Sequence, residues 1–437
     1  MKQQTPNHQP RLLRKAVFYG LTFLLVYGVL EFASWVTYTF IADAPFSFAA
    51  LQTRRTRLIN TSNDSTRLNH AVQGVIHPYI GSVGDPSSEN KNEYGFFGPS
   101  LPIDHTGGST DTVFVAVLGG SVATFMVAEA RETLRQELQR VKRFAGKEIF
   151  IANLAMGGKK QPQQLMIVNY FMSLGAPFDL VINLDGFNEI VLPVVEHAKL
   201  GTFPFYPRKW KMRVAGLADQ DLLRKAGRIA YLGSARHHLA VLASRAPVKY
   251  SVTANVFWDQ LDLGLLRRIE NERVALTQEI LDREDPAKPG GTYAENGPTR
   301  TYASDEARYR DLATFWKRSS MILNNLAQGS GFEYFHFLQP NQYVRGSKIF
   351  SEEERTIALK KRHPYRKAAT EGYPYLIAAG KDIAGAGVNY TDLTMLFAGN
   401  DEVLYIDGCC HFNRRGYELI AREIARVIRV HLDREGR

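Results

Sequence analysis

Cysteine is nearly absent: the 437 residues hold only Cys409 and Cys410, side by side. Two neighbours close no loop, so a disulfide framework and a multi-cysteine zinc site are both excluded. A bond between adjacent cysteines would distort the peptide joining them, and the pair is read as two reduced, small apolar side chains. Also missing are the Gly-x-Gly-x-x-Gly and Gly-Lys-Ser/Thr signatures of phosphate-binding loops, and any internal repeat. Acidic residues are outnumbered by basic ones, 44 against 54, which leaves a net charge of +10 and an attraction to anionic surfaces without naming a partner. What is present is ordinary for a globular chain: 45% apolar and 22% charged residues exclude the disordered and fibrous classes.

One long apolar run stands out, Ala16 to Ala42 (AVFYGLTFLLVYGVLEFASWVTYTFIA), with Glu31 its only charge. As a helix it would reach roughly 40 Å, enough to cross a bilayer with tilt. Arg11, Arg14 and Lys15 precede it and favour a cytoplasmic N-terminus, whereas Arg54, Arg55 and Arg57 after it weaken the bias. A cleavable signal is the rival reading, since Ala42-Asp43-Ala44 has suitable small residues, but the run is much longer than a secretory apolar core. The expectation is an uncleaved single-pass anchor over 16–42, with 1–15 inside and the body outside an inner membrane. Glu31 is costly in lipid and calls for a partner helix or a position near the membrane edge.

After the anchor, 43–91 reads as a polar linker and a loop-rich lead-in, and the folded body as 92–437. Short β-branched runs mark strands at Val113–Leu118, Glu148–Leu154, Asp179–Leu184, Phe332–Leu338 and Glu402–Asp407. Helical patterns lie between and after them: Ala128–Lys142, Gln163–Leu174, Glu306–Leu326 and Arg414–Leu432. Alternation of this kind implies an α/β fold with a central parallel sheet. The interval from about 192 to 303 breaks the rhythm, with helix-like pieces around Asp219–Ala243 and Leu263–Glu284 and a turn-rich Asp285–Thr299; it is read as a helical insertion forming a cap.

Ligands in open parallel sheets bind beyond the carboxyl ends of the strands. There the chain offers Gly119-Gly120-Ser121, then Gly157-Gly158, then Asn188, then Asp407 and His411. A serine after a tight glycine turn and before a helix suits a nucleophile, although serine is equally a helix N-cap. An imidazole on the same rim could take the hydroxyl proton, with Asp407 orienting it, although a lone histidine is more often a cap or a buried structural residue. Gly158 could donate a backbone amide, and Asn188 a side-chain amide, to a developing oxyanion; the plainer readings are a turn glycine and an N-cap.

Together these blocks resemble the SGNH (GDSL-like) hydrolase superfamily over roughly Asn92 to the C-terminus. The segments are VLGGSVATF at Val117–Phe125, NLAMGGKKQPQQL at Asn153–Leu165, LDGFNEI at Leu184–Ile190 and YIDGCCHFNRRGYELIA at Tyr405–Ala421. HPYIG at His77–Gly81, NEYGFFGP at Asn92–Pro99 and FLQPNQY at Phe337–Tyr343 look like segments of its membrane-anchored bacterial members. The resemblance implies a flavodoxin-like three-layer α/β/α sandwich. It also implies acyl-ester chemistry with Ser121 as nucleophile, His411 as base, and the Ser121 amide, Gly158 and Asn188 as the oxyanion hole, without metal or organic cofactor. Two departures matter. Gly120 replaces the aspartate of the GDSL signature, and Gly408 occupies the usual place of the acid, three before the histidine. Asp407 is the nearest substitute; failing it, a backbone carbonyl would orient the ring.

The expected function is hydrolysis or transfer of acyl groups, acetyl foremost, on a cell-envelope or exopolysaccharide carbohydrate. A non-catalytic scaffold or glycan-binding subunit, working with other envelope-assembly proteins, is the alternative. Two basic clusters with aromatics, Arg208–Arg213 and Lys360–Lys367, suit a groove for nucleic acid or acidic glycan, but the plainer reading is solvated faces. Nucleic acid as a partner is not expected for a body outside the membrane.

Overall fold

The computed structural model describes residues 9–42, 45–65, 74–103, 111–218, 220–282, 292–360 and 362–435. The chain divides into two compact units, Val72–Ala218 with Ile280–Arg437, and Met1–Ala71 with Asp219–Glu279.

The first unit is built on a five-stranded parallel sheet: β1 Thr112–Gly119, β2 Glu148–Asn153, β3 Leu180–Asp185, β4 Glu333–Leu338 and β5 Asn389–Asp392. The spatial order is β2-β1-β3-β4-β5. β1 (TVFVAVLG) buries seven of its eight residues and β3 (LVINLD) all six, the pattern of strands covered on both faces rather than alternating with water. Five main helices follow the strands: α1 Ser121–Leu138, α2 Gln163–Ser173, α3 Asp305–Ser330, α4 Arg366–Gly385 and α5 Arg414–Glu435. α5 packs on α1, and α3 on α4. Because the connection from β1 leads outward to β2 and the next one returns to β3, the sheet has its switch point between β1 and β3, where a crevice forms beyond the strand ends.

Four of the five expected strands are found within a residue or so of their expected limits. The fifth is not: Glu402–Asp407 forms no strand, and the sheet is completed by β5 (NYTD) instead. Leu404 and Tyr405 of the misread segment are buried while Ile406 is exposed; the amides of Leu404 and Tyr405 both donate to Glu354 Oε1 at 2.8 Å, and Tyr405 makes only an isolated bridge to Phe412. A buried carboxylate thus takes the place of a neighbouring strand. α4 was also unanticipated.

The second unit is helical: Gln9–Ala42, Phe48–Ser65, Gln220–Ala243 and Val252–Asp282. From Arg14 to Ile41 the first of these is long and apolar enough to cross a membrane, and side chains such as Phe23, Leu24 and Leu25 are exposed. Glu31 has a partner: Ser251 Oγ donates to it at 2.6 Å, and the Val252 amide donates as well, so the carboxylate caps the start of Val252–Asp282. Asp262 accepts from Arg236 at 2.7 Å and from Arg54, which also pairs with Asp259, while Arg54 and Arg55 lie over the Trp258 ring at 5.2 and 5.1 Å.

Two organisational readings therefore change. The stretch read as irregular linker contains the helix Phe48–Ser65. The insertion read as a single cap divides, since Asp219–Glu279 folds with the N-terminal helices around this charge cluster and the remainder belongs to the sheet unit. Residues 1–8 of the expected cytoplasmic segment and 283–291 of the turn-rich stretch lie outside the described residues.

Candidate active site

The glycines before Ser121 are dictated by what surrounds them. Gly119 has φ 137°, and a Cβ there would overlap the Leu184 carbonyl oxygen; a Cβ on Gly120 would overlap Asn188 Nδ2. Glycine at position 120 is thus what allows the Asn188 amide to lie against the turn. Ser121 opens α1, where the first-turn amides have no acceptor within the helix.

His411 Nε2 lies 2.8 Å from Ser121 Oγ, and its Nδ1 lies 2.5 Å from Asp407 Oδ2. Residues 290 apart in the chain are thereby joined in one hydrogen-bonded relay. The four-residue spacing works because Asp407 faces a tight turn: its Oδ1 accepts from the amides of Cys409 (2.8 Å), Cys410 (3.1 Å) and His411 (3.3 Å), leaving Oδ2 for the ring. Partial burial alone would raise the Asp407 pKa. The His411 contact and these amides outweigh it, so the carboxyl stays below its ordinary range and ionised. Gly408 is a close contact point: a Cβ there would come within 2.8 Å of His363 Cδ2.

The turn is anchored from Phe337–Tyr343. Gln342 Nε2 donates to the Asp407 carbonyl at 3.2 Å, and Tyr343 Oη donates to that of Gly408. Phe125 stands edge-on to the His411 ring at 5.5 Å.

Gly157 and Gly158 reach the same rim after β2. The Cβ position of Gly157 is 3.9 Å from Ser121 Cβ, and Gly158 has φ 80°. Asn188 Nδ2 donates one hydrogen to the Lys159 carbonyl at 2.7 Å, which fixes the amide while its second hydrogen remains to be used. All five residues singled out in the sequence, Ser121, Gly158, Asn188, Asp407 and His411, therefore meet at the switch point.

Cys409 and Cys410 are unbonded thiols with sulfurs 3.4 Å apart. With His411 they form the group of potential metal ligands found among the described residues. Both ring nitrogens already have partners, so a cation held there would compete with Ser121 or Asp407 for the imidazole.

Beneath the rim lies a buried polar layer that sequence reasoning did not pick out. Asp185, at the end of β3, accepts from Trp316 Nε1 (2.7 Å), His336 Nε2 (2.8 Å) and Asn183 Nδ2 (2.8 Å). Glu189 accepts from the Gly186 amide (2.8 Å) and Gln164 Nε2 (3.0 Å); burial and then the Asp185 charge push its pKa up to about 8. Lys160 donates to the Pro204 carbonyl at 2.7 Å, and Lys159 to that of Ser82. Burial lowers both lysines to about 7, Arg213 adding to the effect at Lys159. The outward signals of this layer were the polar run KKQPQQ at Lys159–Gln164 and the two acids of LDGFNEI at Leu184–Ile190.

The basic clusters separate. Lys360, Arg362 and Lys367 are exposed, as a solvated face should be. Arg208, Lys209 and Arg213 are half-buried and line an open pocket with Gly157 and Gly158. No family model matches the chain, and no curated protein matches it.

Proposed function

We propose that this chain is a membrane-anchored serine acyl-ester hydrolase or O-acyltransferase of the SGNH type, acting through an acyl-Ser121 intermediate. The observation that carries the reading is the relay Ser121 Oγ, His411 Nε2, His411 Nδ1, Asp407 Oδ2, with contacts of 2.8 and 2.5 Å. The strand order β2-β1-β3-β4-β5 supports a flavodoxin-like three-layer sandwich.

As the Ser121 hydroxyl attacks an ester carbonyl, its proton passes to His411 Nε2, and the ionised Asp407 stabilises the resulting imidazolium. The oxyanion is met by the Ser121 and Gly158 amides and by the second hydrogen of Asn188, each donor contributing about 3 kcal/mol where it acts fully in the transition state. His411 then protonates the leaving alcohol, and water or a sugar hydroxyl attacks the acyl-serine in the second half-reaction. The acyl group is foremost acetyl, and the substrate a carbohydrate of the envelope or an exopolysaccharide. The apolar N-terminal helix anchors the chain in the inner membrane, N-terminus inside and active site in the periplasm.

A non-catalytic scaffold would account for Glu31 in the span and for an acid four rather than three residues before the histidine, but each has another account: Glu31 caps a helix, and Asp407 reaches the imidazole. A fluorophosphonate probe tests the choice. Labelling of the wild type that vanishes in Ser121→Ala is expected, and a well-folded wild type that takes no label would overturn the enzymatic reading. Comparing acetyl released with acetyl gained by an added glycan separates hydrolysis from transfer.

A further inference from the structure

Glu31 gives the depth of its own partners. The apolar span Arg14–Ile41 has 28 residues, and a hydrocarbon layer of roughly 30 Å takes about 20 of them. Counted from Ala16, just past Arg14 and Lys15, that layer ends near Trp35 and leaves Glu31 about 6 Å inside it; a span set nearer Ile41 buries Glu31 deeper. At this level the anchor meets residues 251–253. Besides the bonds from Ser251 and Val252, the Thr253 amide donates to Glu31 Oε1 at 3.3 Å, Ser34 Oγ donates to Thr253 Oγ1 at 2.9 Å, and Thr253 Oγ1 to the Leu30 carbonyl at 3.3 Å. The start of Val252–Asp282 is therefore as deep as Glu31. Asp259, further along that helix, pairs with Arg54, which follows the span in sequence, so the helix climbs out of the layer as it proceeds. Gln220–Ala243 joins it through residues 244–251, and Ala243 clusters with Trp258 and Leu51, which makes the two helices a hairpin with its tip at the bottom.

That tip is suited to lipid. Leu242, Val248, Tyr250 and Phe257 are exposed, the two aromatics at 68 and 66%. Backbone groups bond to one another: the amides of Arg245, Lys249, Tyr250 and Ser251 donate to the carbonyls of Leu242, Arg245, Pro247 and Val248, and Asn255 Nδ2 donates to those of Lys249 (3.1 Å) and Ser251 (2.7 Å). Apolar surroundings demand such internal pairing, whereas water does not. No acidic residue stands between Asp221 and Asp259, while Arg245 is exposed and Lys249 lies over the Tyr250 ring at 4.8 Å. Cations and tyrosine without acids are the composition of a membrane-facing edge.

We propose that the hairpin tip, residues 244–251 with Leu242 and Phe257, dips into the bilayer beside the anchor. Its apolar side chains lie among the acyl chains, and Arg245 and Lys249 extend to lipid phosphates. The helical unit thus holds the membrane at two points, the span and the tip. The inference rests on the anchor reading, because Glu31 sets the depth.

The test uses the full-length protein carrying Cys409→Ala and Cys410→Ala in vesicles of phosphatidylcholine and phosphatidylglycerol, with a bimane label on one new cysteine at a time. Leu25→Cys reports on the anchor, Tyr250→Cys on the tip, and Val274→Cys on a point about 33 Å along the helix from Val252. All three side chains are exposed, so labelling should leave the thermal midpoint near wild type. Bromine-bearing acyl chains should quench the Leu25 and Tyr250 labels, and aqueous iodide should quench both about fivefold less than the Val274 label.

A Leu25 label quenched from the lipid together with a Tyr250 label as open to iodide as Val274 would overturn the inference and spare the anchor. A Tyr250 label shielded from both quenchers would also overturn it, since protein would then cover the tip. No quenching by bromolipid at either Leu25 or Tyr250 would remove the anchor reading and the inference together.

Discussion

The helical unit and the layer beneath the candidate site both bury charge, but they neutralise it by different means. Among the helices, opposite charges meet directly: Asp262 lies between Arg54 and Arg236, and although burial would raise its pKa, the two guanidiniums hold it below the carboxylate range. Below the site, Lys159 and Lys160 rest on carbonyl oxygens, and Glu189 on amide donors. Dipoles offset less of the desolvation cost than a counter-ion does, so these groups are pushed towards their neutral forms, Glu189 up to about 8 and the lysines down to about 7. Ion pairing fixes a charge state, whereas dipolar support leaves it able to change near neutral pH. The second arrangement lies against the site where proton transfer is proposed.

The largest expected effect lies at that rim. Ser121→Ala should lower acyl turnover by about 10⁴-fold or more while leaving the thermal unfolding midpoint close to wild type, as read by ester hydrolysis and scanning calorimetry. Asp407→Asn should follow, at about 10²–10⁴-fold in kcat, because an amide neither stabilises the imidazolium nor fixes the productive tautomer; a near wild-type rate would show that the turn alone orients His411.

The remaining two predictions remove one buried charge from each unit and should differ in sign. Asp262→Ala leaves two arginines without their shared carboxylate and should destabilise the helical unit by about 3 kcal/mol, the lower end of the range because Arg54 is one-third exposed. Denaturation of the full-length protein in detergent measures it. Lys160→Met keeps the volume, loses the bond to Pro204 and removes a lysine whose pKa falls from 10.5 to about 7 on folding. Below pH 7 the folded state must protonate or expose that group, so the variant should be the more stable there by on the order of 1–2 kcal/mol. Between pH 7 and 10.5 the unfolded lysine binds more protons than the folded one, and wild type recovers stability as pH rises. The advantage of Lys160→Met should therefore shrink across that window; a difference independent of pH would mean that the buried amine does not titrate as described.

Much of the sheet could be read from the sequence because parallel strands covered on both faces are continuous apolar runs, and VFVAVL and LVINL admit few other uses. β5 escaped because NYTD has no such run, and Glu402–Asp407 misled because burial against the core satisfies an apolar pattern without a strand partner. The site residues were legible as a chain order of serine, glycine, asparagine and histidine. Whether Asp407 reaches the ring was not, since that depends on three amides of one turn sharing its other oxygen. The cationic pocket was half visible: RKWKMR announces charge, but only the fold separates Arg208, Lys209 and Arg213 from the exposed Lys360 and Lys367. The pairing of Glu31 with the start of Val252–Asp282 had no local signal, because the partners lie some 220 residues apart.

That the imidazole comes from the turn just before α5, and the hydroxyl from the start of α1, imposes a schedule on the molecule. During synthesis Ser121 is made early, after its glycine turn and the first of the five strands, and its imidazole partner arrives only with the segment ending at His411. The helix that seats that segment packs on the same helix the serine begins, so docking one completes the other. Ser121 Oγ and His411 Nε2 thus come within hydrogen-bonding distance only once α5 and the turn before it have docked against α1.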